Sequence, residues 1–220
     1  MTKIVGFMGA RGAGKDEASK ALTAQGWLPQ AFGSGIYDEC AEAFNVPRAL
    51  FGERKTKETP LAVLMLANCS NSEFVTVALK RFDDTVPPGA DPMLAPRSPR
   101  FIMQTWGTEY RRGLYGEDYW TKQVDSKVKQ RLDCNHAFTD VREHLEIALV
   151  RQYGGPLIRI VRPALDVTGQ TTMTHGSETN IQSVPADLEL VNHEGLENLC
   201  LLHAQVIDFV DHWYRGQKAA

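Results

Sequence analysis

The sequence has little of what marks a disulfide-stabilised, zinc-binding or membrane-spanning protein. Its four cysteines stand far apart and form no C-x-x-C pair, which argues against a zinc site and favours a reducing compartment. No apolar run approaches the roughly 20 residues that a membrane-spanning helix needs, and no signal-peptide pattern precedes the first apolar run. We therefore expect a soluble, cytoplasmic protein with no membrane partner.

The chain also lacks an excess of positive charge. Its 24 Lys and Arg residues are outnumbered by 27 Asp and Glu residues, for a formal net charge of −3. Proteins that bind duplex nucleic acid normally carry a basic patch or stripe, so no nucleic-acid partner is expected. A length of 220 residues with 43% hydrophobic content suits one α/β domain with insertions.

What the sequence does contain is a Gly-rich segment directly after the apolar run 4–8. The segment comprises Gly9, Ala10, Arg11, Gly12, Ala13, Gly14, Lys15 and Asp16. Its spacing fits G-x-x-x-x-G-K, in which backbone N–H groups surround phosphate oxygens and the lysine reaches the β and γ phosphates. Residues 17–24 predict a helix, whose N-terminal dipole would add to the anion site. The alternative is a Gly-rich turn that contains a lysine.

Asp16 departs from the motif, which has Ser or Thr at this position to contact Mg²⁺. A carboxylate there could hold magnesium directly or through water, or only favour the helix N-terminus. The sequence leaves these alternatives open.

The remaining pattern alternates strands with helices, which is typical of a parallel sheet covered on both faces. The predicted strands are 27–32, 136–139, 157–161 and 188–191. The predicted helices include 36–44, one opened by Ser98 and Pro99 and interrupted by Gly107, one from 118 through Leu132, one carrying residues 145–149 and one over 199–213. In such sheets ligands lie beyond the carboxyl ends of the strands. Four features follow predicted strands: the Gly-rich segment, Asp140, Arg162 and Asn192. We therefore expect them to converge on one crevice.

Two segments interrupt this alternation. Periodicity weakens between residues 46 and 100, and the prolines of 83–99 exclude regular structure there. This region is either an insertion that covers or supports a substrate pocket or a passive surface excursion. The polar, Gly- and Thr-containing segment 163–183 has the composition of a lid.

The sequence Asp140-Val141-Arg142 is a second candidate site. A carboxylate at a strand end can hold a metal-bound water, and an arginine two residues later can clamp a phosphate. Asp140 with Glu143 also fits a capping box for the next helix, and both roles can hold at once. Arg111 and Arg112 could supply charge to a phosphate or lie on a solvated helix face.

Together these residues resemble the bacteriophage deoxynucleoside monophosphate kinases, a branch of the P-loop nucleoside monophosphate kinase superfamily. The similar features, in chain order, are Gly14-Lys15-Asp16; Gln104, Gly107-Thr108-Glu109 and Arg112; Tyr119-Trp120; Asp140, Arg142 and Glu143; Val161-Arg162-Pro163; His175, Ser177 and Glu178; and Asn192, Gly195, Glu197, Asn198 and Leu199. Tyr37 departs from the pattern, because related sequences often carry a lysine near that position.

The resemblance implies a three-layer P-loop kinase fold, with a parallel β-sheet flanked by helices. It implies a single domain over 1–220, with a substrate-side insertion at about 46–100 and a lid at about 163–183. The implied activity is transfer of the γ-phosphoryl group of ATP, with Mg²⁺, to a deoxynucleoside 5′-monophosphate for DNA precursor synthesis. Such transfer needs positioning and charge neutralisation rather than a protein nucleophile.

On the ATP side, the resemblance implies that Lys15 and the loop amides bind the phosphates and that Asn192 lies near the adenine. Asp16 and Asp140 would order Mg²⁺.

On the acceptor side, it implies that Arg112 and Arg142 hold the acceptor phosphate and that Arg162 closes over the transferred group. Gln104 and Trp120 would contact or shape the base pocket, with Asp140 nearby.

The same residues are also compatible with other interpretations. Small-molecule kinases of the dephospho-coenzyme A kinase or phosphomevalonate kinase type share the loop and the arginines, and a regulatory module could bind ATP without transferring phosphate. The resemblance allows a homodimer, which nothing in the spacing demonstrates.

Overall fold

The computed structural model describes residues 2–53, 55–81, 86–163, 184–193 and 195–216. The chain divides into two compact units: unit 1 comprises Met1–Phe32 and Val124–Ala220, and unit 2 comprises Gly33–Gln123. No helix among the described residues is long and apolar enough to cross a membrane.

Unit 1 contains a five-stranded, all-parallel sheet. The strands are β1 (Ile4–Met8), β2 (Leu28–Gln30), β3 (His136–Phe138), β4 (Leu157–Val161) and β5 (Leu188–Val191). Their order is β2-β3-β1-β4-β5, so Gly6 of β1 pairs with Phe138 on one side and Leu157 on the other. The apolar run 4–8 is therefore the central strand, and its continuous burial explains why it lacks polar alternation.

The helices of the described residues are α1 (Lys15–Thr23), α2 (Ser34–Phe44), α3 (Ala49–Gly52), α4 (Ser72–Lys80), α5 (Pro99–Gln104), α6 (Gly113–Tyr115), α7 (Tyr119–Lys129), α8 (His144–Gln152) and α9 (Leu196–Gly216). A π-helical segment, Thr105–Arg112, joins α5 to α6, and two 3₁₀ turns, Ala62–Leu64 and Leu66–Asn68, precede α4.

Helices cover both faces of the sheet. Val5 and Phe7 of β1 belong to a core that includes side chains of α1 and α9, whereas Ile4 and Met8 belong to a second core formed with α7 and α8. All four side chains are fully buried. Successive strand residues point to opposite faces, so β1 alone supplies both layers of contact. The predicted three-layer α/β fold is confirmed.

Unit 2 is helical around an aromatic core. Phe74 lies between Trp106, with ring centroids 4.5 Å apart, and Phe44, at 6.2 Å. The predicted start of α5 is confirmed: Ser98 Oγ accepts a hydrogen bond from the Phe101 N–H at 3.1 Å, and Pro99 takes the first helical position.

Two expectations about helices were wrong. Gly107 does not interrupt the helix opened at Pro99, because the chain continues through Gly107 in π-helical form to Arg112. The Gly107 carbonyl accepts a hydrogen bond from Trp120 Nε1 at 3.1 Å, so tertiary packing offsets the low helix propensity of glycine. Leu132, expected on the apolar face of α7, lies beyond the end of that helix and is 54% exposed.

Residues 86–98 of the Pro-rich segment 83–99 have neither helix nor named strand, as predicted, and Pro99 begins α5. The segment is nevertheless anchored, since the Ala67 N–H donates to the Met93 carbonyl at 3.0 Å and Leu61 forms an isolated bridge with Arg97. The Arg97 side chain is buried and donates to the Ala95 carbonyl at 2.7 Å. The predicted lid at 163–183 lies outside the described residues except for Pro163.

One buried phenol joins the last helix to the central strand. The Ile4 N–H donates to the Tyr214 hydroxyl at 2.9 Å, and that hydroxyl donates to the Ile4 carbonyl at 2.5 Å. Burial raises the pKa of Tyr214 to about 12, so the phenol keeps its donor proton well above neutral pH.

Replacing Tyr214 by Phe should lower the free energy of unfolding by about 1–3 kcal/mol, because two buried backbone groups lose a partner that water cannot replace. Urea denaturation measures this change. The matched control is Tyr115→Phe, since the Tyr115 phenol donates to Glu73 at 2.6 Å but the residue is 48% exposed. Equal losses in the two variants would contradict the buried role of Tyr214.

Candidate active site

The Gly-rich segment forms a turn between β1 and α1 that requires its glycines. Gly9, Gly12 and Gly14 have φ values of 140°, 83° and 99°, in the region that other residues rarely adopt. A Cβ added at Gly9 would lie 2.3 Å from the Ile160 carbonyl oxygen of β4. The loop therefore passes so close to the neighbouring strand that no side chain fits. The predicted strand–loop–helix context is confirmed.

Lys15 folds back across this loop. Its side-chain nitrogen donates to the carbonyl oxygens of Gly9 and Ala10, at 2.8 Å each, and the residue is 8% exposed. Lys15 is also the first residue of α1, where backbone N–H groups lack intrahelical partners. A buried ammonium and a helix N-terminus thus lie together, an arrangement that suits a phosphate.

Asn192, which follows β5, braces the same loop. Its Nδ2 donates to the Ala13 carbonyl at 2.8 Å, and its backbone N–H donates to the Val161 carbonyl at 2.7 Å. A Cβ added at Gly14 would lie 2.2 Å from Asn192 Nδ2, so the side chain occupies the space that this glycine leaves. Sequence reasoning placed Asn192 near the loop but did not predict that its amide supports it.

Asp140 lies at the same edge of the sheet, after β3. Its Oδ1 accepts a hydrogen bond from the Phe32 N–H at 2.8 Å, which connects it to the segment after β2. The capping box predicted for Asp140 and Glu143 is wrong: α8 begins at His144, Glu143 is its N-cap, and the partner is Glu146. Asp140 stands three residues too early to cap the helix.

The predicted positions of these residues after strands are confirmed within unit 1, whereas their convergence on one crevice stays a prediction. The Gly-rich loop follows β1, Asp140 follows β3, Arg162 follows β4 and Asn192 follows β5. Parallel strands bring their carboxyl ends to one edge of the sheet, and the four positions lie along that edge. Asp16 is exposed in the first turn of α1 and Arg142 is half-buried.

Glu146 is a buried acid at this edge that the sequence reasoning missed. It is 6% exposed, and its Oε2 accepts the backbone N–H groups of Arg142 at 2.6 Å and Glu143 at 3.0 Å. Burial, followed by the nearby Asp140 carboxylate, raises the pKa of Glu146 to about 8. The signal in the sequence was the Glu143–Glu146 spacing of three, which fits a capping box with Glu as the N-cap.

Three predicted site residues belong to unit 2. Trp120 is 3% exposed and donates from Nε1 to the Gly107 carbonyl, so its ring is part of the core. Gln104 Oε1 accepts from Arg81 Nη2 at 3.4 Å. Arg112 is half-buried in the last turn of the π-helical segment.

Arg111 is held inside unit 2. The sequence allowed two roles for it, a phosphate ligand or a residue on a solvated helix face. Its Nε lies 2.6 Å from Glu39 Oε2, and only 18% of its side chain is exposed. The guanidinium carbon lies 4.6–5.7 Å from four ring centroids, those of Trp106, Tyr110, Tyr115 and Tyr119. The same carboxylate accepts from Trp106 Nε1 at 2.7 Å and, through Oε1, from the Tyr119 hydroxyl at 2.9 Å. Arg111 is therefore a packing and pairing residue of this cluster.

The raised pKa of Glu146 makes stability depend on pH. Between its ordinary pKa near 4.5 and about 8, the folded protein retains a proton that the unfolded chain releases, so rising pH destabilises the fold. In Glu146→Gln the side chain keeps a similar shape and is uncharged over the whole pH range. Urea unfolding from about pH 5 to pH 8 should show the variant gaining stability relative to the parent as pH rises. A difference that does not change with pH would contradict this assignment.

Comparison with known proteins places these observations in a family. Residues 54–201 match the family model described as deoxynucleotide monophosphate kinase, a span that includes Arg112, Asp140, Arg142, Arg162 and Asn192. A protein of Acanthamoeba polyphaga mimivirus named "Putative deoxynucleotide monophosphate kinase" is 25% identical over 215 residues, covering 94% of this chain and 96% of its own length. The family match covers more than half of the chain, and the viral relative aligns over nearly all of it. The chain belongs to the deoxynucleotide monophosphate kinase family.

Proposed function

We propose that this protein transfers the γ-phosphoryl group of ATP to the 5′-phosphate of a deoxynucleoside monophosphate, and so supplies diphosphates for DNA precursor synthesis. The observation that carries the proposal is the loop geometry: Lys15 is held across three positive-φ glycines at the carboxyl edge of a parallel sheet. The family match supports the kinase class. The viral relative supports a viral source, and a bacteriophage source with action in the host cytoplasm is part of the same proposal.

On the donor side, the loop amides and Lys15 would bind the ATP phosphates. The carbonyl contacts of Lys15 fix its ammonium within the loop before a nucleotide arrives, which reduces the reorganisation that binding requires. Asn192 would support the loop through Ala13. We also propose that the adenine lies near Asn192.

Asp16 and Asp140 are the proposed partners of Mg²⁺. Among the described residues, no three His, Cys, Asp or Glu side chains group into a metal site. Mg²⁺ in phosphoryl-transfer sites is usually bound by one or two carboxylates together with substrate phosphates and water, so two separate carboxylates fit this ion. When bound, the ion would neutralise charge on the transferred phosphoryl group.

On the acceptor side, Arg142 and Arg112 would hold the monophosphate, and Arg162 would neutralise charge on the transferred group. A guanidinium binds phosphate bidentately and stays charged at all physiological pH values. Gln104 is proposed to contact the base. Trp120, being buried, would shape the base site without lining it.

The first test is ADP formation from ATP and Mg²⁺ with dAMP, dGMP, dCMP or dTMP. Acceptor-dependent turnover should appear with at least one of the four, and Lys15→Ala should reduce it by about 100-fold or more, the effect of losing one preorganised donor. Lys20→Ala is the matched control, because Lys20 lies on the same helix, is exposed and pairs only with Glu17 among its described contacts.

Each outcome of that test has a distinct meaning. Turnover that depends on the acceptor and on Lys15 but not on Lys20 supports the proposal and shows the base preference. ATP binding without turnover on any of the four acceptors contradicts it, and favours a different phosphate acceptor or a regulatory role.

Arg142→Ala should lower kcat/KM for the acceptor by about 10- to 100-fold, because hydrogen bonds to a charged phosphate contribute about 1.5–3 kcal/mol. Steady-state kinetics with each substrate varied in turn will show whether the effect is confined to the acceptor. Arg215→Ala, an exposed arginine paired with Asp211 on α9, should leave both substrates unaffected. Unchanged kinetics in the Arg142 variant would remove that residue from the site.

A further inference from the structure

The roles proposed above leave Glu146 without a function, although it is a buried acid at the carboxyl edge of the sheet. We propose that Glu146 is a positioning residue: its carboxyl group holds the backbone after β3 in the conformation that presents Arg142 to the acceptor phosphate. This inference rests on the function proposed for Arg142. Glu146 itself would contact no reacting atom.

The segment after β3, residues 140–142, is held by hydrogen bonds at each of its three residues. The Asp140 carboxylate accepts from the Phe32 N–H at 2.8 Å, the Val141 N–H donates to the Phe7 carbonyl of β1 at 3.2 Å, and the Arg142 N–H donates to Glu146 at 2.6 Å. Val141 is fully buried, whereas its two neighbours are partly exposed. Glu146 supplies the third of these contacts, next to the arginine itself.

Both backbone donors converge on one oxygen, Oε2 of Glu146. They belong to the N-cap residue of α8, Glu143, and to the residue before it, so both N–H groups precede the first helical residue and lie outside the ladder of backbone hydrogen bonds of the helix. Since the acceptor is 6% exposed, water cannot readily replace it. Loss of the carboxyl group would leave two polar groups unpaired, and we expect the segment to open until solvent reaches them.

A simple helix cap would also explain these hydrogen bonds, so the test must separate positioning from stability. Asp125 of α7 provides the comparison. It is a half-buried acid of unit 1 that accepts from the Tyr153 hydroxyl at 2.6 Å and pairs with Lys129 at 2.5 Å, and it follows no strand of the sheet. Its loss should cost stability without a selective effect on one substrate.

The first experiment measures amide hydrogen exchange at Arg142 and Glu143 by NMR, in the parent protein and in Glu146→Ala, Glu146→Gln and Asp125→Ala. We expect exchange at these two amides to be at least about tenfold faster in Glu146→Ala, and close to the parent rate in Glu146→Gln, whose carbonyl oxygen can still accept both bonds. Unchanged exchange in Glu146→Ala, or equal acceleration in Asp125→Ala, would overturn the proposal.

The second experiment measures steady-state kinetics of the same variants. Glu146→Ala should lower kcat/KM for the monophosphate by about tenfold or more while KM for ATP changes by less than about twofold, and Glu146→Gln should restore most of the loss. Equal losses for both substrates, or full activity in Glu146→Ala, would overturn the positioning role. If Glu146→Ala does not fold, Glu146→Asp replaces it, because its side chain is one methylene too short to keep both bonds.

The two experiments also separate this inference from the proposed function. If the parent protein shows no kinase activity, the proposed function fails while the exchange rates still report whether Glu146 holds the segment. If the parent is active and Glu146→Ala exchanges and reacts like it, the positioning role alone fails.

Discussion

The central strand β1 is the constraint on which unit 1 depends. It is hydrogen-bonded to β3 on one side and β4 on the other, and its side chains are buried on both faces. Because all strands run parallel to it, every segment that leaves a strand at its carboxyl end emerges at the same edge. The Gly-rich loop is the direct continuation of β1, so the strongest anion-binding feature of the chain occupies the middle of that edge.

Preorganisation is the common physical theme at this edge. Lys15 is held by two loop carbonyls, Asn192 supports the loop through Ala13, and Glu146 pairs the backbone next to Arg142. Each contact removes a degree of freedom before a ligand binds, so less ordering is needed when phosphate charge develops. In phosphoryl transfer the protein contributes position and charge rather than covalent chemistry. Contacts that hold these groups in position therefore suit this reaction.

Unit 2 uses its charged groups differently. Glu39 accepts from Trp106, Arg111 and Tyr119, and the Arg111 guanidinium is surrounded by aromatic rings. The hydrogen bonds of this cluster satisfy the partly buried Glu39–Arg111 ion pair, and the rings add cation–π attraction. Together these interactions offset the free-energy cost of removing the two charges from water. Arg111 therefore serves the internal structure of this unit, whereas Arg112, one residue later, is the arginine that we propose as a phosphate ligand.

Local patterns in the sequence determined the loop, the boundaries of β4 and β5, the Ser98 cap and the parallel α/β class, because these features depend on neighbours within a few residues. Tertiary structure decided the rest. Gly107 stays helical because Trp120 bonds to its carbonyl, and Glu146 becomes a buried acceptor because α8 begins three residues later than the capping pattern at Asp140 implied. Burial and long-range pairing have no local signature, so the partners of these residues appear only when distant segments meet.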